Sequence, residues 1–180
     1  CLEGSTGNIE WLRRDEPLPG PPSRSIAGDM VAGPAALCHR GMIYTVQHDE
    51  HSLTALDAWT GALLWRQTLP GRVRQLAGAR HGFLYAAGDQ VWGVEARTGA
   101  VRWRFGFDDV EGAIAGDILL DGEHLYACTP EELWQLDALT GEPLRQLPLW
   151  GVYGTQGGHV VAAQGELLVV SPDEITAWER

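Results

Sequence analysis

The densest cluster of chemistry-bearing side chains in this 180-residue sequence is His48-Asp49-Glu50-His51. Two imidazoles around two carboxylates have the donors to coordinate a divalent cation. The same residues suit a hydrophilic turn. That reading is preferred, because equivalent points of the chain carry Gly88-Asp89-Gln90, Pro130-Glu131-Glu132 and Pro172-Asp173-Glu174, without histidine. No metal site is assigned. Three cysteines, Cys1, Cys38 and Cys128, are too few and too scattered for a disulfide framework, a C-x-x-C redox pair or a zinc site. Cys38 and Cys128 sit in strand-like runs, Ala35–Cys38 and Leu125–Cys128, where a free cysteine is expected to be a small buried apolar residue. No Ser-His-Asp set, phosphate-cradling glycine loop or carboxylate pair stands at a meaningful spacing. The sequence therefore predicts no catalytic residue and no cofactor-binding residue.

The composition narrows the partners. The net charge is −11, and all thirteen basic residues are arginine. A phosphate-binding face needs clustered positive charge, so nucleic acid and an anionic membrane surface are not the expected partners. No apolar run is long enough for a transmembrane helix. Neither is there a basic stretch leading into an apolar run, so no retained signal peptide is expected. The length suits one domain. Residues 15–32, with Pro17, Pro19, Pro21 and Pro22, read as an extended surface excursion.

What must position any site is a repeat. Cys1–Trp11, Ala55–Trp65, Gly93–Trp103 and Gln135–Arg145 align without gaps, and a further copy begins at Ile175. Their glycines, Gly7, Gly61, Gly99 and Gly141, stand 54, 38 and 42 positions apart. About 40 residues per unit is the period of a propeller blade. Each unit reads as four short strands rich in Val, Leu, Tyr and Trp, with glycine turns between them. The expected fold is all-β: a propeller of about four antiparallel four-stranded blades, at 33–67, 73–105, 115–147 and 157–180 with 8–14. It is either a closed four-bladed ring or half of a seven- or eight-bladed one. The Thr-Gly glycine should supply the positive φ of a tight hairpin, and the acid four residues earlier should brace it.

Ala55-x-Asp57-x-x-Thr60-Gly61-x-x-x-Trp65 resembles the tryptophan-docking motif of the quinoprotein-like (PQQ-like) propeller family. The third copy keeps Glu95, Gly99 and Trp103, the first has Gly7 and Trp11, and the fourth keeps Asp137 and Gly141 but carries Arg145 in the tryptophan slot. The resemblance implies a girdle, in which each indole lies flat on the neighbouring blade's turn. It also raises an enzyme reading, because quinoprotein alcohol dehydrogenases share the fold. Those enzymes are similar to one another in an adjacent cysteine pair, a calcium site with Glu and Asn ligands and an Asp base. This sequence has no adjacent cysteines, and Asn8 is its one asparagine. Relatives in the family also include a lipid-anchored outer-membrane assembly factor, but Cys1 fills the Ala slot of a repeat, so it is not read as a lipidation site. Bacterial envelope and cytoplasm both stay open.

In such a blade the loops between second and third strands share one face with the blade-to-blade connections. That face should collect Asp49, Glu50, Asp89, Glu131, Glu132, Asp173 and Glu174. The connections add Asp15, Glu16, Asp108, Asp109 and Glu111, bringing the total to 12 of the 24 acidic residues. The expected function is a non-catalytic interaction scaffold that docks a protein or peptide, a basic one on this charge. The alternatives are a fragment of a quinoprotein oxidoreductase and a small-ligand sensor.

Overall fold

The structure, a computed structural model, describes residues 10–13, 34–47, 51–106 and 114–179. Within these the chain forms sheets of consecutive strands. The first blade is β1 (Leu37–His39), β2 (Met42–Val46), β3 (Ser52–Asp57) and β4 (Leu63–Thr68). The second is β5 (Val73–Arg80), β6 (Phe83–Gly88), β7 (Val91–Glu95) and β8 (Val101–Phe105). The third is β9 (Leu119–Asp121), β10 (His124–Cys128), β11 (Glu132–Asp137) and β12 (Pro143–Pro148). A one-turn helix α1 (Trp150–Tyr153) then leads to the fourth sheet, β13 (His159–Ala163), β14 (Glu166–Val170) and β15 (Ile175–Glu179). Each sheet is antiparallel and ordered as in the sequence. The fold is the expected all-β propeller-blade architecture.

The fourth sheet has three strands among the described residues. Of the segment 8–14 that was expected to supply an outer strand, residues 10–13 are described, and they lie outside the strands. No described helix is long and apolar enough to cross a membrane.

Period-two alternation on both faces of each blade builds the core between blades. Tyr44, Leu53 and Trp65 of the first blade meet Leu84, Trp92 and Val94 of the second. Tyr85 and Val91 then meet Leu125 and Leu136, and Tyr126 and Leu133 meet Val160 and Leu167. Every large side chain in these clusters leaves water by packing against the next blade, so hydrophobic burial runs between sheets.

The turns follow the sequence's punctuation. Gly61, Gly99 and Gly141 have φ of +70°, +78° and +74°, a left-handed conformation that costs a residue with a Cβ. Pro143 stands at the head of β12, where its missing N–H disturbs the ladder least. One expectation fails. Cys128 is buried as expected, but Cys38 is exposed. Alternation along the three-residue β1 turns Leu37 toward the core of the first two blades. Its neighbour Cys38 therefore points to the other side of the sheet, which that core does not cover.

Candidate partner-binding face

The rim that carries the Thr-Gly hairpins is a structural device. Trp65 Nε1 donates to the Ala96 carbonyl of the next blade at 2.9 Å, and Trp103 Nε1 donates to Ala138 at 3.2 Å. Trp11 Nε1 makes the same bond to Ala58 at 3.1 Å. Each indole covers the glycine of the turn it reaches. A Cβ on Gly61 would come within 2.5 Å of the Trp11 ring, and one on Gly99 within 2.6 Å of Trp65. Gly141 is closed off by Trp103 in the same way, and Trp103 also lies over Gly93 in its own hairpin. In the first blade Ala55 stands opposite Trp65 in the same register, so the slot takes either residue. Gly7 lies outside the described residues.

Acids brace these turns in two ways. Asp57 Oδ1 accepts from the Trp59 and Thr60 backbone N–H groups and from the Thr60 hydroxyl, at 3.0, 2.8 and 2.8 Å. Asp137 repeats the pattern with Leu139 and Thr140. The Thr60 amide, followed by its hydroxyl, holds the Asp57 carboxyl below the usual carboxylate range, and the Thr140 amide does so for Asp137. Glu95 is one methylene longer. It instead takes the Thr98 hydroxyl and the Arg102 guanidinium, at 2.8 and 2.6 Å, and these lower its carboxyl in that order.

A tyrosine partner for Trp65 and for Trp103 escaped the motif reading. Tyr44, Tyr85 and Tyr126 recur every 41 residues, a spacing that would have found them. Tyr44 and Trp65 rings lie 6.0 Å apart, and Tyr85 and Trp103 rings 6.1 Å apart. Burial pushes the Tyr85 phenol up to about 12, with the Asp137 charge adding to the effect. At the third blade Arg145 is exposed in the tryptophan slot. There a cavity of about 30 Å³ lies between Tyr126, Arg145, Leu167 and Trp178.

The opposite face is formed by the turns between second and third strands and the blade connections. The structure brings Asp89, Glu131, Glu132, Asp173 and Glu174 to it. Asp49 and Glu50 lie outside the described residues, as do Asp15, Glu16, Asp108, Asp109 and Glu111. The described acids are not equivalent. Asp89 Oδ2 accepts from the Arg72 backbone N–H at 2.9 Å, and its other oxygen is 3.7 Å from Arg74, so it pins the first connection. Glu132 Oε1 accepts from Gln146 at 2.6 Å. Glu131, Asp173 and Glu174 are exposed.

Of the His48–His51 cluster only His51 is described. Its Nδ1 is 2.8 Å from the Gly71 carbonyl and donates to it. His159 Nδ1 meets Asp117 Oδ2 across the third and fourth blades at 3.1 Å, with both side chains more than half exposed. No three His, Cys, Asp or Glu side chains among the described residues come together to hold a metal ion.

This face also carries α1, which the strand-period reading did not anticipate. Leu149 is fully buried, while Trp150, Val152 and Tyr153 are 55%, 63% and 55% exposed.

The family described as Outer membrane protein assembly factor BamB matches residues 1–170. BamB from Moraxella catarrhalis superposes with a TM-score of 0.62 at 19% identity, over 77% of this chain and 43% of that one. This chain thus spans less than half the length of that relative. The computationally designed Ika4 protein matches with a TM-score of 0.66 at 16% identity, over 86% of this chain and 95% of the design. The quinohemoprotein alcohol dehydrogenase ADHIIG from Pseudomonas putida HK5 shares the fold, with a TM-score of 0.53 at 17% identity, over 64% and 20% of the two chains. No curated protein matches the sequence. A repeat that aligns in register, indoles seated on the next blade's turn glycine, and a family match across nearly the whole length lead to one assignment: the chain belongs to the BamB family of PQQ-like β-propeller repeat proteins.

Proposed function

We propose that this chain is a non-catalytic docking scaffold that receives a protein or peptide on the face opposite the Thr-Gly rim. The observation that carries the reading is the division of labour between the two faces. On the rim, Asp57, Glu95 and Asp137 are consumed in bracing turns, and the exposed Glu123 and Glu142 share that face with exposed Arg40, Arg80 and Arg97. On the opposite face, Glu131, Asp173 and Glu174 point their carboxylates into solvent. Unneutralised charge of one sign steers a partner of the other sign and sets its orientation. The family's description as an outer membrane protein assembly factor suggests that the partner belongs to such an assembly process. The unit boundaries 33–67, 73–105, 115–147 and 157–180 with 8–14 are part of the same proposal.

A photo-crosslinking residue placed at Glu131 or Asp173, in the cells that make the protein, should give discrete protein adducts. The same residue at Arg97 or Thr140 on the rim should give none. Adducts from the rim alone, or from neither face, would refute the docking assignment. The quinoprotein reading has its own test, since fold likeness does not carry activity. Addition of pyrroloquinoline quinone and calcium should give neither saturable binding nor dye-linked alcohol oxidation, and stoichiometric binding would overturn the non-catalytic assignment.

A further inference from the structure

The connections after the first and third blades share an anchor. Leu69, 3% exposed, donates its backbone N–H to the His51 carbonyl, and Leu149, fully buried, donates to the equivalent Glu131 carbonyl at 2.7 Å. From there the two routes diverge. Residues 70–72 suffice to reach β5 from Leu69, whereas 150–158 separate Leu149 from β13.

The extra length is not spent on the core. Helix α1 buries none of its residues. Its turn is nonetheless well held. Tyr153 N–H bonds to the Leu149 carbonyl at 3.0 Å, and Gly154, at φ +69°, closes the turn by donating to Trp150 at 3.0 Å. The Tyr153 ring stands edge-on to Trp178 at 4.5 Å. Buried Thr155 receives the Thr176 hydroxyl at 3.5 Å. An exposed Trp, Val and Tyr on a fixed turn form an apolar protrusion of the kind that marks interaction sites. Trp and Tyr are also the residues over-represented at binding hot spots.

Charge says what fits there. Glu131 lies at the start of α1, because its carbonyl receives both Leu149 and Trp150 N–H groups. Glu174 lies at the other end, two residues before the Thr176 that bonds Thr155. No arginine forms an ion pair with Glu131, Asp173 or Glu174 among the described residues. We infer that α1 is the centre of the docking face, and that its occupant is a protein segment in which an apolar side chain is flanked by arginines or lysines. The apolar residue packs on Trp150 and Val152, and the flanking cations pair with Glu131 and Glu174. This inference rests on the docking reading above and adds the contact point and the partner's chemistry.

The probe is a short synthetic peptide carrying Phe and Leu between arginines, with a control that keeps the arginines and replaces Phe and Leu by Ser. The variant is Trp150→Ser with Val152→Ser, leaving Tyr153 on Trp178 so that the fold is undisturbed. Indole N–H signals, assigned by single Trp→Phe changes, report the place of contact. Titration should move the Trp150 signal and leave Trp59 still, since Trp59 is 79% exposed on the opposite rim. The double variant should weaken binding about tenfold or more, and the serine control should bind both proteins equally weakly. If Trp59 moves as much as Trp150, the contact is unspecific and the inference falls. Absence of saturable binding overturns it as well. If the double variant binds normally while Glu131→Lys with Glu174→Lys abolishes binding, α1 is excluded and the acidic docking face survives.

Discussion

Replacing Trp65 by alanine measures what one girdle contact contributes. Trp65 is 8% exposed, so nearly all of an indole surface of about 200 Å² leaves water. At roughly 25 cal/mol per Å² that burial is worth about 5 kcal/mol as an upper estimate. Large-to-small replacement of a buried tryptophan typically costs about 3–5 kcal/mol. No orphaned acceptor adds to the loss, because the Tyr44 hydroxyl also donates to the Ala96 carbonyl, at 3.3 Å. Trp65→Ala should therefore destabilise by about 3–5 kcal/mol, a fall of roughly 6–20 °C in Tm for a domain of this size. Trp65→Phe keeps the ring over Gly99 and should cost about 1–2 kcal/mol, the hydrogen bond plus part of the area. Arg145 occupies the same slot two interfaces on, but it is exposed, so Arg145→Ala should stay within about 0.5 kcal/mol. Denaturant melts of the three variants decide the matter. Equal losses at Trp65 and Arg145 would refute the assignment of the slot as the blade-to-blade contact.

Three further outcomes follow from the same contacts. Gly99→Ala should lose about 1–3 kcal/mol more than Gly122→Ala in denaturant melts, because both sites have positive φ but only Gly99 faces an indole, while Gly122 has open space; equal losses would mean that the indole does not need the glycine. Asp57 and Asp137 have lowered carboxyl pKa values in the fold, so their stabilisation is present above the ordinary carboxylate pKa of about 4 and is lost as pH falls through the depressed folded values. The Asp57→Asn, Asp137→Asn variant should then show a shallower fall in Tm on acidification than the parent, and identical slopes would refute the bracing role. An alkylating reagent at mildly alkaline pH should label exposed Cys38 and spare Cys128, whose thiol is pushed up to about 11 by burial; peptide mapping that finds Cys128 modified first in the native protein would contradict the packing of the third and fourth blades.

The blades were legible because their instructions are local. An Asp, a Thr and a Gly within five residues fold one turn, and Asp57 and Asp137 make the same three bonds with no help from elsewhere. The girdle was legible for a related reason, since an indole and the glycine it covers repeat at the blade period. Features that depend on what lies across a sheet were not. Cys38 and Cys128 sit in similar strand-like runs, yet one is exposed and the other buried, because only the structure says which side of β1 is covered. Asp89 looks like the other acids of its face, but its carboxylate is taken by the Arg72 amide. Helix α1 has no helical period to read, because it is one turn long, held by the Leu149 anchor behind it and by Gly154 after it.

That last case bears on how such a scaffold acquires a partner. Blade packing is settled by residues between sheets and on the Thr-Gly rim, where burial is deep and a single Cβ is refused. A change there costs stability at once. A connection that leaves from a buried leucine and returns to an inner strand is constrained mainly at its ends: the Leu69 and Leu149 anchors are alike whether three residues or nine follow, and at the return to β13 a Cβ on Gly157 or Gly158 would run into the backbone of Thr129 or Val170. Length, charge and apolar surface can vary in those loops with little effect on the core. On the docking role proposed above, recognition belongs on the face where the connections run, and it should differ between relatives that share every blade. In this chain the longer route beyond Leu149 is where apolar side chains are held out to solvent between Glu131 and Glu174, so the partner should be sought there rather than on the rim.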